Sequence, residues 1–256
     1  MLSANTPMEE LSPYLLNDEK TFEIADRTEW CREKFSIRCF GRVNTYRFVN
    51  ADEIKQLLEQ TGSYDLGFPA DFSAIQHHVE TSTFTEDAKR PFMNGDIYAE
   101  NNRIYFLPDA INSYSVAVFC DYLRYALIRR GESFSAETVF SSSAKLDFLN
   151  TAKTAGYLIY LYCISTGDAG LNIERVKQRV RFGGHDVPEE KIVSRYQRCM
   201  EHFFPAMRYA YRAYFWDNST QNMQLIAEMT PDHEICLYST VLPIWFEKYV
   251  LGKLKS

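Results

Sequence analysis

Several things are scarce or missing in these 256 residues, and each absence narrows what the chain can be. No apolar run approaches the roughly 20 residues of a membrane-spanning helix. The longest, Tyr157 to Ile164, reads as a buried strand, and no membrane partner is expected. The six cysteines (Cys31, Cys39, Cys120, Cys163, Cys199, Cys236) include no C-x-x-C pair. That pattern predicts reduced thiols in a cytoplasmic protein, not a disulfide framework or a zinc site. Basic charge is in deficit, with 28 Lys and Arg against 34 Asp and Glu and a formal net charge of −6, which argues against a nucleic-acid partner. The opening MLSANTPMEE has no basic stretch followed by an apolar run, so no secretory leader is expected. Finally, G-x-x-x-x-G-K-[ST] occurs nowhere, which removes the usual nest of backbone N–H groups and lysine around a nucleotide's phosphates.

What is present supports a substantial core: 46% hydrophobic residues, 15% aromatic. Residues 1–35 are polar, with helix-compatible patches such as DRTEWCREKF. SIRCF and TYRFV flank Gly41 and Asn44 and read as a hairpin or neighbouring strands. IKQLLEQ reads as a helix, and 61–110, with its scattered Gly and Pro, as irregular apart from a short hairpin in NGDIYAENNRIYFLP. Val116, Phe119, Leu123 and Leu127 recur at helical spacing and predict an amphipathic helix over 113–130. SFSAETVF, YLIYLYCI, YRAYFWDN, QLIAEMT and HEICLYST read as strands. SAKLDFLNTAKTAG, NIERVKQRV and EEKIVSRYQRCMEHFFPAMRYA read as helices. This alternation predicts an open, three-layer, mostly parallel α/β sheet within one domain, 1–256. Its parts are a divergent N-terminal segment (1–45), an insertion (60–110) and a core (111–230).

Ligands in such sheets collect at the carboxyl ends of strands. Three strand ends carry conspicuous polar residues: Asn50-Ala51-Asp52-Glu53, Glu137-Thr138 followed by Ser141 to Ser143, and Asp217-Asn218-Ser219. A strand-end carboxylate such as Asp52 can take the proton of an attacking hydroxyl, or Asp52 and Glu53 can simply cap the next helix. Glu137 and Thr138 can orient a sugar hydroxyl, or form an ordinary turn. Arg175, Lys177, Arg179 and Arg181 form a basic run, joined by Arg195 and Arg198. Arg175 and Arg179, four apart, share a helix face that either binds phosphate or is merely solvated. Gly183-Gly184-His185 is a helix end or a lid hinge, with His185 a possible donor to an anion. His77-His78 has no ligand-spaced partner, so no metal site is assigned.

V-N-x-D-E over 49–53, S-F-x-x-E-T over 133–138, R-V-x-x-R-V from Arg175, G-G-H-x-V-P from Gly183 and R-Y at 195–196 occur in one order. This order resembles that of the zeta-toxin-like kinases, a branch of the P-loop nucleotide kinases. The chain further resembles a branch lacking the P-loop, through N-S-Y-x-x-A-x-x-x-D-x-L-R, filled by Asn112, Ser113, Tyr114, Ala117, Asp121, Leu123 and Arg124. The resemblance implies a P-loop-kinase-like fold and catalytic roles for Asp52 (the base), Arg179 and Arg195. It implies substrate contacts from Asn50, Glu53, Glu137, Thr138, Arg175 and His185. It also implies ATP and Mg2+ as cofactors, a small-molecule substrate such as a UDP-sugar, and an antitoxin or other protein as partner. The slot where the family carries its phosphate loop holds DRTEWCREKFSIRCFGRVNT, with one glycine and no Gly-Lys-Ser. A pseudokinase that binds a phosphorylated ligand without turnover is therefore the alternative reading.

Overall fold

Strands and helices alternate along the chain. The computed structural model describes residues 47–182 and 186–254 in full and residues 21–27 as backbone. The strands and longer helices, in order, are β1 (Thr21–Arg27), β2 (Arg47–Val49), α1 (Ala51–Thr61), β3 (Ser63–Asp65), α2 (Phe72–Thr81), α3 (Glu86–Met93), β4 (Ile97–Glu100), β5 (Arg103–Phe106), α4 (Ser113–Arg130), β6 (Phe134–Thr138), α5 (Ala144–Thr154), β7 (Leu158–Ser165), α6 (Ala169–Arg181), α7 (Glu189–Met207), β8 (Arg212–Asp217), β9 (Gln224–Met229) and β10 (Ile235–Leu237). A helical segment, 244–254, follows. These elements form two compact units: residues 48–132, and the remainder from 133 onward together with the N-terminal residues up to Arg47.

The larger unit is built on strands in the order β10-β9-β8-β7-β1-β6. β6, β1, β7 and β8 run parallel, and β9 and β10 extend the sheet antiparallel. This is the open, mostly parallel α/β sheet expected from the alternation. β7 lies in the interior, paired on both sides, and is buried from Ile159 to Ser165. An unbroken apolar run suits that place because it has no polar face to expose. On one face of the sheet Tyr162 stacks on Tyr214 at 5.2 Å. Elsewhere in the unit Phe215 meets Phe246 at 5.0 Å, and Phe203 of α7 meets Trp245 at 5.8 Å. Of the helically spaced stripe Met200, Phe203, Phe204 and Met207, which reads as core, all but the half-buried Phe204 are buried. Of the four described cysteines, Cys120, Cys163 and Cys199 are buried and Cys236 is exposed.

The N-terminal expectation needs correcting. Asp26 and Arg27, read as part of a helix-compatible patch, close the strand β1, which pairs with both β6 and β7. Of the two runs expected to form a hairpin or neighbouring strands, SIRCF lies outside the described residues. Of the other, β2 covers Arg47–Val49.

In the 48–132 unit, α4 packs against α1, α2 and α3. It is more than amphipathic. Val116, Val118, Phe119, Tyr122, Leu123, Ala126 and Leu127 are all buried, a set that wraps most of the helix circumference. Asn112 and Ser115 close its N-terminus in a capping box, and Gly131 its C-terminus at φ 68°. The stretch 61–110 is not irregular. It holds α2, α3 and a three-stranded antiparallel sheet, β3-β5-β4, whose β4–β5 pair is the expected hairpin. Its glycines and prolines punctuate short elements. Gly62, at φ 67°, ends α1 by donating its N–H to Leu58 O, and Pro91 lies within α3.

Among the described residues, no helix is long and apolar enough to cross a membrane.

Candidate active site

The strand register aligns the carboxyl ends of the parallel strands. Asp26 lies opposite Thr138, Arg27 opposite Ile164, and Ser165 opposite Asp217. Glu137 and Thr138, half-buried, thus share one sheet edge with Ser165, Thr166 and Asp217. Buried polar residues gather there. Ser165, Thr166 and Asn172 are fully buried, and Asn218 is nearly so. Asn218 N donates to Ser165 O at 2.7 Å, tying the end of β8 to that of β7. Thr166 Oγ1 lies 3.0 Å from Asp168 O and 3.1 Å from Asn172 Oδ1.

The basic helices hold the loops that follow these strands. Arg175 of α6 donates to Asn218 O at 2.6 Å, after β8. Tyr196 of α7 donates to Thr166 O at 2.9 Å, after β7. Also on α7, Arg198 donates to Ser141 O at 3.0 Å and His202 Nδ1 to Phe140 O at 2.6 Å, both after β6. Each loop is fixed by a side chain from a neighbouring helix, so the edge is ordered before any ligand arrives. α6 and α7 are themselves joined through Val176 and Ile192, with Ile173, Val180 and Val187 packed beside them.

The basic run divides. Lys177 and Arg181 are exposed, and Lys177 pairs with Glu189 at 2.9 Å. For them the solvated-face reading holds. Arg175 and Arg179 are half-buried on the other side of α6, and Arg179 Nε is out of solvent. Arg195 is half-buried too. Burial, and then the neighbouring Arg198 guanidinium, pull its pKa below the ordinary range. Crowded guanidinium groups with restricted access to water favour an anionic neighbour.

Asn50, Asp52 and Glu53 belong to the 48–132 unit. The cap of α1 is Asn50, whose Oδ1 accepts from Asp52 N at 2.9 Å and Glu53 N at 3.2 Å. Asp52 and Glu53 are exposed in the first turn, where acidic side chains complement the helix dipole. Glu137, Thr138, Arg175, Arg179 and Arg195 share the sheet-bearing unit. His185 lies outside the described residues, with Gly183 and Gly184.

Beyond β7 and β8 the same unit holds a cavity of about 410 Å³, lined by Gly167, Asp168, Asp217, Ser219, Gln224, Ile226, Ser239 and residues 241–244. Sequence reasoning named Asp217 and Ser219 but missed Asp168. Its signal is S-T-G-D ahead of an alanine-led helix, an N-cap pattern: Asp168 Oδ1 accepts from Leu171 N at 3.1 Å. Tyr196 entered only through the R-Y motif, Arg198 only with the basic run and His202 not at all, and nothing in their spacing points to the main-chain carbonyls they hold.

Burial, reinforced by Tyr249, Asp168 and Asp217, pushes the Tyr196 phenol up to about 12 despite a hydrogen bond with Ser165. An unfolded tyrosine ionises near pH 10. The folded state therefore keeps its proton longer, and this contribution to stability is whole below about pH 10 and lost as pH rises through 12. Tyr196→Phe, which cannot ionise, is expected to flatten alkaline unfolding followed by circular dichroism. At neutral pH it should cost about 1 kcal/mol for the lost hydrogen bond.

No family model matches the chain. An uncharacterized protein of Haemophilus influenzae is 30% identical over 69 residues, 27% of this chain and 49% of that protein; the match thus spans about half the length of this curated relative. The AvrRxo1-ORF1:AvrRxo1-ORF2 complex with sulphate ions aligns at a TM-score of 0.51 and 11% identity, over 95% of this chain and 66% of that one. This likeness is one of fold. The same complex with ATP aligns at 0.45 and 10% identity, over 95% and 65% of the two chains. The PezAT chromosomal toxin–antitoxin system of Streptococcus pneumoniae aligns at 0.45 and 9% identity, over 92% and 80%.

Proposed function

We propose that this chain is a zeta-toxin-like phosphotransferase that holds a phosphorylated small molecule at the carboxyl end of β6, with the arginines of α6 and α7. The observation that carries the reading is the division of the basic run: Arg175 and Arg179 turn inward on α6 while Lys177 and Arg181 face solvent. In this reading Arg179 and Arg195 stabilise the transferred phosphoryl group, and Arg175 sets the loop after β8. Glu137 and Thr138 orient the acceptor hydroxyl; the roles of Asp52 as base and of Asn50, Glu53 and His185 as acceptor contacts rest on the motif match alone. The acceptor class is a nucleotide sugar such as a UDP-sugar, and an antitoxin-like protein is the partner.

ATP with Mg2+, when bound, would supply the phosphoryl group and neutralise its charge. The guanidinium groups fit phosphate in charge and donor geometry. The P-loop lysine and glycines have no counterpart in the sequence. That absence favours a second reading, in which the protein binds its phosphorylated ligand without turnover.

Calorimetry tests the ligand site the two readings share, and phosphorus NMR separates them. A UDP-sugar is expected to bind more tightly than Mg-ATP, and Arg179→Ala to weaken it about tenfold, the scale of one charge-assisted contact. If phosphorus NMR detects transfer, Asp52→Ala should slow it about a hundredfold with little change in binding. Micromolar Mg-ATP binding, with transfer that survives Asp52→Ala, would overturn both the donor-site reading and the choice of base.

A further inference from the structure

We propose that the cavity beyond the ends of β7 and β8 is a binding site for a small molecule carrying a protonated amine on an apolar body. Its volume, about 410 Å³, falls in the range of small-molecule pockets. One wall is apolar, formed by Ile226 of β9 and by 241–244, which includes Val241, Leu242 and Ile244. Val241 and Ile244 are 81% and 76% exposed, a cost in water that a bound apolar group would relieve.

The charged groups lining the cavity are two carboxylates, Asp168 and Asp217; no Lys, Arg or His is among its lining residues. Each carboxylate is held by one oxygen. Asp217 Oδ1 accepts from Ser219 Oγ at 2.7 Å and Trp245 Nε1 at 3.0 Å. Asp168 Oδ1 accepts from the α6 backbone, at Leu171 N. Among the described residues no hydrogen bond reaches the second oxygen of either carboxylate. Both carboxylates act on the same phenol, that of Tyr196, so their fields overlap. The nearby Arg175 spends a donor on Asn218 O. Two like charges beside an apolar wall repel phosphate and carboxylate ligands and favour an ammonium, whose three N–H donors match carboxylate and hydroxyl acceptors. This site is thus opposite in sign to the arginine-lined edge of the same sheet, and its occupant does not depend on the phosphotransferase reading.

Three probes of one shape test the proposal: tryptamine, its alcohol analogue tryptophol and its acid analogue indolepropionate. Saturation-transfer NMR and calorimetry on the full chain are expected to rank tryptamine first, tryptophol about tenfold weaker and indolepropionate weaker still, since a close charge pair is worth about a decade in affinity. Gln224 is exposed on β9 and lines the cavity. Gln224→Lys should offer the aspartates an internal cation and reduce tryptamine binding at least about tenfold, with unchanged circular dichroism. Asp168→Asn, which keeps the helix cap, should weaken it in the same direction. Equal binding of all three probes, or tryptamine binding untouched by Gln224→Lys, would overturn the proposal, leaving a merely apolar hollow.

Discussion

Replacing Asp121 with alanine is expected to destabilise the 48–132 unit by about 3 kcal/mol, the scale of losing its charge-assisted hydrogen bonds. Asp121 lies on α4. Its Oδ1 accepts from Arg124 Nη2 at 2.8 Å, and Arg124 is only 5% exposed. Its Oδ2 lies 3.2 Å from His78 Nε2 of α2, so the imidazole proton sits on that nitrogen. Tyr122 and Tyr125 close around the His78 ring at 5.7 and 5.2 Å. Denaturant unfolding should show the loss. Because replacing a whole buried pair by apolar groups is often close to neutral, the double variant Asp121→Leu, Arg124→Met should recover most of it. A cost below about 1 kcal/mol for Asp121→Ala would mean that the pair is effectively solvated.

That result would also assign the N-S-Y-x-x-A-x-x-x-D-x-L-R segment. Asn112 caps α4 and Asp121 pairs with Arg124, so in the structure these residues brace the helix. A motif found by resemblance carries no label separating scaffold from chemistry, and here geometry places three of its polar positions, Asn112, Asp121 and Arg124, in the scaffold.

The fold was legible where one physical demand dominated. β7 has no polar residue from Tyr157 to Ile164 and could only lie inside a sheet. α4 was legible in extent but not in depth, because Arg124 and Ser115 disguise a helix buried on most sides. β1 was not legible. It carries Glu23, Asp26 and Arg27 among seven residues, yet it pairs on both sides, against the rule that interior parallel strands are apolar. The 61–110 stretch was misread because Gly and Pro mark both loops and the ends of short elements, and only the β3-β5-β4 pairing distinguishes the two.

At the site, the arginines were visible as a run, but a sequence does not say which of them turn inward. Only i,i+4 spacing hinted at the shared face of Arg175 and Arg179. The cavity was less legible still. Its wall joins Asp168, Asp217, Ile226 and Val241, residues spread from position 168 to position 241 and brought together by β9 folding back on β8.

Trp245→Ala is expected to destabilise the sheet-bearing unit by about 3–5 kcal/mol, as large-to-small changes of buried aromatic residues do. Trp245 is 1% exposed, and its ring lies 5.8 Å from each of Phe203 and Phe246. Its indole N–H also holds Asp217 Oδ1, so the variant removes a core ring and a carboxylate anchor together. Trp245→Phe separates the two. It keeps most of the ring and loses the donor, and should cost less than half as much, about 1 kcal/mol for the hydrogen bond plus a small cavity. Urea unfolding should show the midpoint shift without a change in slope. If both variants cost the same, the hydrogen bond to Asp217, not the packing, would be what fixes the 244–254 segment to the sheet. The end of β8 would then be held as a polar edge, and the wall of the cavity would depend on a single carboxylate.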